Sequence, residues 1–183
     1  MTFGFAQPTP MIAMLNIHYS RVGDLERPDR LATAPAVPVR SYRDLFGNWC
    51  CRFTAPAGDF VLGIDSVIRD SGLPDPAFPG ARQHEIEDLP PGALTFLLPS
   101  RYCESDVLMQ QAWSLFGATE PGWARVRAIC DFVHGHVQFD YLLAHNQRSA
   151  SQTFEGRCGV CRDYMHLAIA FCRAMNIPAM YCN

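Results

Sequence analysis

The chain has 183 residues, 49% of them hydrophobic and 18% charged, with a formal net charge of −3 at pH 7. That length supports one large domain or two small ones with a real core, and that balance excludes a disordered chain. The slightly acidic charge leaves no basic footprint for nucleic acid or an anionic membrane, and no apolar run approaches the roughly 20 residues that span a bilayer.

Met1 to Leu15 lacks a basic leader and is broken by Pro8 and Pro10, so it does not read as a signal peptide. Leu15, Ile17 and Tyr19 alternate with Asn16, His18 and Ser20, the period of a half-buried strand. Val37 to Tyr42 predicts another. Phe46-Gly47-Asn48-Trp49 reads as a tight turn into a strand from Trp49 to Ala55. Pro56 to Asp59 then turns the chain into a strand over Phe60 to Arg69. Ser71 to Gly80, rich in proline, glycine and aspartate, predicts a surface loop. Short strands punctuated in this way predict a β-sandwich-like domain over residues 1–103.

From residue 104 the pattern is helical. Ser105 suits the N-cap of a helix from Asp106 to Phe116, ended by Gly117. Pro121 suits the first position of a second helix, running to about His136 with Trp123, Val126, Ile129 or Cys130, Val133 and Val137 as its apolar stripe. A polar loop, His145 to Ser151, follows. Cys161, Met165, Ala168, Cys172 and Met175 then recur at spacings of four and three, which is one face of a third helix. Leu167, Ile169 and Phe171 put apolar groups on its other faces, so it should be surrounded by protein. Asn176 suits the left-handed position that ends a helix, and Pro178 prevents continuation.

Eight cysteines are present. Cys50 and Cys51 are adjacent, and Cys130, Cys161 and Cys172 lie on predicted helices among core residues. That distribution predicts buried free thiols in a reducing compartment, hence a cytoplasmic protein. Cys161 has a second reading. It falls at the first turn of the third helix, after the glycine-containing Gly156-Arg157-Cys158-Gly159-Val160. Unpaired backbone N–H groups and the positive end of the helix dipole favour a thiolate there, which makes Cys161 a candidate nucleophile. Asp163 would complement the same dipole, and Arg162 would be a surface residue or a loop anchor. Cys158 and Cys161 form a C-x-x-C pair, so a redox dithiol or half of a zinc site is a competing reading. A zinc site wants a second pair, and His134-x-His136 is a loose match. His166 follows Cys161 by five residues, about 140° around a helix, and should point elsewhere.

Gly159-Val160-Cys161-Arg162-Asp163, followed by His166-Leu167-Ala168 and by Arg173 to Ala179, resembles the nucleophile segment of the bacterial transglutaminase-like superfamily. Phe46-Gly47-Asn48, Leu98 to Cys103 and Phe139-Asp140-Tyr141 look like further landmarks of that family. The resemblance implies an N-terminal β-domain followed, over residues 104–183, by the helical first half of a papain-like, transglutaminase-like core, an α+β protein. It implies Cys161 as the catalytic nucleophile, acting on the amide carbonyl of a protein or peptide substrate through a thioester, with no cofactor and no metal. Two departures stand out. Met180 occupies a position where the family usually has arginine. The family also draws a histidine and an aspartate from strands after the cysteine helix, and neither follows before Asn183. The expectation is therefore a piece of a longer cysteine-dependent amidase, protease or acyltransferase, itself inactive. Two consequences are expected of such a piece: Met165, Cys172 and Met175 should face solvent, and a strand over Ala179 to Cys182 should offer an open edge. Together they would drive self-association. A non-catalytic interaction module with an inert Cys161 is the alternative from a different class.

Overall fold

The computed structural model describes residues 1–182. Its backbone contacts divide into two compact units, Met1–Asp75 and Pro76–Asn183. The segment 76–103 has its partners among the helices of the second unit, as its hydrogen bonds below show.

The first unit is built from eight strands: β1 (Thr2–Phe5), β2 (Thr9–Ala13), β3 (Leu25–Arg27), β4 (Leu31–Ala34), β5 (Arg40–Arg43), β6 (Trp49–Ala55), β7 (Gly58–Ile64) and β8 (Val67–Ile68). They form antiparallel three-stranded sheets in the orders β1-β7-β4 and β2-β6-β5, and β3 pairs with β8. Alternation along β6 and β7 sends Cys51, Phe53 and Ala55 from one sheet, and Phe60 and Leu62 from the other, into one shared core. The Phe53 and Phe60 rings lie 5.6 Å apart. Pro56-Ala57-Gly58 therefore carries the chain from one sheet to the other, with Gly58 at φ 96° where an L side chain would be strained. The turn at Phe46-Gly47-Asn48 is organised by Asp44, whose Oδ1 accepts from the N–H groups of Phe46 and Asn48 at 2.9 Å.

Two expectations for this unit differ from what is found. The stretch from Met1 to Ala13, not read as regular structure, supplies β1 and β2. Pro10 is tolerated because β2 is an edge strand and Pro10 faces solvent. The strand expected through Leu15, Ile17 and Tyr19 does not form. The Ile17 N–H donates to the Asp29 carboxylate at 2.7 Å, and the ring of His18 accepts from Ser20 N–H, opening a 3₁₀ turn over Tyr19–Asp24.

The second unit comprises a short α1 (Pro91–Leu94), α2 (Met109–Phe116), α3 (Trp123–His136), β9 (Gln138–Phe139), α4 (Ala150–Gly156), β10 (Cys158–Gly159) and α5 (Cys161–Ala174). β9 and β10 run parallel, pairing Cys158 with Gln138 and Gly159 with Phe139. Helix α5 is the centre of the unit. Leu167, Ala170 and Phe171 are inaccessible, and the Phe171 ring meets Phe116, Phe132 and Phe154 from α2, α3 and α4 at 5.3–5.9 Å. Asn176 takes φ 60°, the left-handed stop that its position after the helix required. Truncating Phe171 to alanine should cost about 3–5 kcal/mol, the range for deleting a large buried aromatic, read as a lower midpoint in urea unfolding of the chain.

The segment before α2 is fastened to this core by polar contacts. Arg173 donates to the carbonyls of Ala179 and Leu98 at 2.8–3.0 Å and to Oγ of Ser100 at 3.1 Å. The buried Arg125 donates to Thr119 O and to Gln83, and Gln83 in turn donates to Met175 O at 2.9 Å. These bonds close most of the face of α5 expected to be open: Cys172 and Met175 are 7% and 1% exposed, and Met165 is half-buried. No strand forms over Ala179 to Cys182; Ala179 N–H instead donates to Phe96 O at 3.2 Å. The mixed α+β class, with a β-sandwich-like part and a helical part, is as the sequence implied.

The cysteines divide by position. Cys50, Cys51, Cys103 and Cys172 are buried, whereas Cys130 and Cys161, expected among core residues, are exposed, because each sits on the solvent side of its helix. All eight are free thiols. Burial pushes the Cys172 thiol up to about 12 and raises Cys103 as well. Among the described residues, no helix is long and apolar enough to cross a membrane.

Candidate active site at the N-terminus of helix α5

The turn from β10 into α5 is held by one carboxylate. Asp163 has no solvent exposure, and its Oδ2 accepts from the N–H of Val160 at 3.0 Å, capping the helix from within its first turn. Oδ1 accepts from Nη2 of Arg162 at 3.1 Å, and Nη1 of Arg148 stands 3.8 Å from Oδ2. Arg148 also donates to Cys158 O at 2.8 Å. Gly159 is required by the same packing. A Cβ there would lie 2.6 Å from Cβ of Asp163 and 2.8 Å from its Oδ2, closer than any side chain tolerates.

Arg162 is the loop anchor that its position suggested. Its guanidinium donates to the carbonyls of His145 and Asn146, tying the 140–147 loop to the start of the helix. The Asp140 N–H donates to Gly159 O at 3.1 Å from the other side. Glycine, aspartate and arginine of the Gly159–Asp163 motif are thus consumed in building a rigid turn. Cys161, the first helical residue, is left facing solvent. Among the described residues no hydrogen bond engages the Cys161 thiol or its backbone N–H. A thiol with an unpaired N–H beside it, at the positive end of a 14-residue helix, can attack a carbonyl and stabilise the resulting oxyanion.

The histidines take other roles. His136 lies between the rings of Phe132 and Phe154, both at 4.8 Å, and its Nε2 bonds with Phe154 O at 2.7 Å. His134 and His145 are exposed. His166 points away from the thiol, as its spacing required. It is 8% exposed and stacks on Tyr102 at 5.4 Å with the rings nearly parallel, while Tyr181 closes its other side at 5.7 Å. Its Nδ1 is buried without a partner.

Burial holds the His166 imidazole below its ordinary 6.5, and the Arg162 charge adds to the effect against the opposing pull of Asp163. The folded chain therefore binds fewer protons at this ring than the unfolded chain. Stability should fall as pH drops below about 6.5 and keep falling until pH reaches the depressed folded value. Urea midpoints measured from pH 8 to pH 5 should decline less steeply in His166→Phe than in the parent. Identical slopes would show that other groups carry the acid sensitivity.

Cys158 is partly exposed, three residues before the thiol in question. Among the described residues, no group of three His, Cys, Asp or Glu side chains converges as a metal site would. An apolar groove of about 180 Å³ lies between Ala81, Leu89, Trp123, Val126, Ile177 and Pro178. It sits at the opposite end of α5, about 20 Å from Cys161 along a helix of 14 residues.

Residues 112–183, which run from within α2 through α5, match the transglutaminase-like superfamily. The resemblance carried by Gly159–Ala179 is thereby shown: this part of the chain is transglutaminase-like. The whole chain is also similar to a protein from Cytophaga hutchinsonii whose crystal structure is described as that of a "putative cysteine protease", with a TM-score of 0.84 and 28% identity. The match covers 97% of this chain and 62% of that one, so the chain spans under two thirds of that relative's length. No curated protein gave a match.

The sequence missed one thing at the site. Asp163 was read as a dipole complement, but its larger function is to fill the space that Gly159 leaves open. Two residues on the same turn, a glycine and an acid four positions apart at a strand-to-helix junction, are the signal from which that packing follows.

Proposed function

We propose that Cys161 is the nucleophile of a cysteine-dependent acyl-transfer site, acting on an amide or peptide carbonyl and hydrolysing the thioester that results. The observation that carries this reading is the division of labour in the motif. Gly159, Arg162 and Asp163 are spent on structure, and Cys161 alone is held out at the helix N-terminus. The match to the transglutaminase-like superfamily and the likeness to the Cytophaga hutchinsonii protein support it.

In this reaction the thiolate of Cys161 attacks the carbonyl carbon, and the Cys161 N–H donates to the developing oxyanion. Collapse of the tetrahedral adduct expels ammonia or an amine, which takes a proton from a general acid. Water then attacks the thioester, releasing the acid and the free thiol. A histidine is the group suited to move both protons. Among the described residues none of the histidines bonds with the thiol. The 183-residue chain is therefore expected to present a reactive thiol and yet turn over no amide. A longer form that sets a histidine beside Cys161 should hydrolyse one, and Cys161→Ala in that form should abolish it.

The direct test is brief treatment with iodoacetamide at neutral pH followed by mass mapping. Cys161 should be modified before the other cysteines, the exposed Cys130 and Cys182 included. Earlier modification of Cys50 or Cys172 would overturn the assignment.

A further inference from the structure

Beside the thiol lies a surface that the proposed chemistry does not itself need. Phe139 is 49% exposed, Tyr141 71%, Leu142 94% and Leu143 48%, so four large apolar side chains within five positions face water. Isolated exposed apolar residues are ordinary, but a contiguous cluster marks a recognition surface. This cluster is also fixed in place. The Leu142 N–H donates to Oδ1 of Asp140 at 2.8 Å, and Asp140 N–H to Gly159 O. Arg162, the neighbour of Cys161, clamps the carbonyls at the far end of the same loop.

An aromatic path leads from the helix to the loop. The Tyr164 hydroxyl donates to Val137 O, and its ring meets Phe139 at 6.3 Å; Phe139 meets Tyr141 edge-on at 4.9 Å. Tyr164 follows Cys161 by three residues, on the same side of α5, and a helical side chain leans back over the turn before it. Tyr164 therefore covers ground next to the thiol.

We infer that the Phe139–Leu143 loop is the specificity surface of this site, holding an apolar or aromatic side chain of the acyl donor beside the carbonyl that Cys161 attacks. The inference rests on Cys161 as nucleophile. An acyl group joined to Sγ of Cys161 lies over the first turn of α5, and the loop pinned to that turn borders it. Of the nearby cations, Arg162 gives both terminal nitrogens to carbonyls and to Asp163 and buries its unpartnered Nε, so it offers no counter-ion for an acidic side chain. A rigid apolar surface is suited to an apolar group, because no ordering of the loop is required on binding.

Paired alkylating reagents test this without any turnover. The rates at Cys161 of iodoacetamide and N-benzyliodoacetamide are measured by mass mapping, and their ratio is compared with that for N-acetylcysteine. The benzyl tail should accelerate the reaction at Cys161 about tenfold beyond the free thiol, the effect of partly burying one ring. Leu142→Asp combined with Tyr141→Ala should return the ratio to that of the free thiol. Both positions are exposed, so the fold should survive, and circular dichroism checks it. A parent ratio equal to that of N-acetylcysteine overturns the inference, as does a high ratio that persists in the double variant. Neither result touches the nucleophile reading, which fails separately if iodoacetamide itself reaches Cys50 or Cys172 before Cys161.

Discussion

Replacing Asp163 with alanine should destabilise the chain by about 3–5 kcal/mol, the cost of removing one partner from a buried ion pair. The carboxylate is inaccessible and accepts from two donors, the Val160 N–H and the Arg162 guanidinium, with Arg148 as an ion-pair partner at 3.8 Å. Its loss leaves the helix cap unmade and two partly buried cations without their anion. Domain stabilities of 5–15 kcal/mol make such a loss visible as a large drop in the urea midpoint. Asp163→Asn should cost less, since an amide oxygen can still accept from Val160 N–H while the charge compensation disappears. The ordering alanine, then asparagine, then parent is the result to look for. Equal midpoints for all three would mean that α5 is positioned by its apolar face alone. The Cys161 alkylation rate should fall along with stability in both variants, because the thiol loses its fixed place at the helix terminus.

How far this architecture was legible beforehand varies with the kind of signal. Helix α5 begins at Cys161 and ends at Ala174, where apolar spacing, Asn176 and Pro178 located it, because each of those signals is local. Strand β6 runs over Trp49–Ala55 as the turn at Phe46-Gly47-Asn48 before it indicated. Helix α2 begins at Met109, later than the Ser105 cap suggested. Leu108 N–H bonds back to Glu104 O, but the residues between form a turn that is not yet helix. The edge strand β2 was hidden by Pro10, since an edge position tolerates a proline that a central strand would not. The closure of the lower face of α5 was not legible at all. It depends on Arg173 reaching Leu98 O and on Gln83, held by Arg125, reaching Met175 O, and side-chain contacts of that range leave no periodic trace. At the site, the placement of Cys161 was readable from the helix start. The packing of Asp163 against Gly159 was not, because it is set by the angle between strand and helix.

That packing makes a second large effect calculable. Gly159→Ala should cost about 1–3 kcal/mol, the range for forcing extra volume into a filled interior. Gly159 has no left-handed φ, so the strain would be steric, from a Cβ placed 2.6 Å from Asp163. The way to isolate it is a double-mutant cycle. In the Asp163→Ala background Oδ2 and Cγ, at 2.8 and 3.1 Å from the new methyl, are gone, although Cβ remains. The 2.6 Å contact with that Cβ is set by the backbone and persists, so only the part of the penalty due to Oδ2 and Cγ is relieved. The penalty for Gly159→Ala should shrink in that background, giving a coupling energy of about 0.5–3 kcal/mol between adjacent groups. The two variants together should be less destabilised than their sum, as read from urea unfolding of all four proteins. Strict additivity would mean that the glycine is needed for some other contact. A coupling of the expected sign would show that glycine and aspartate act as one device, whose product is the exposed first residue between them.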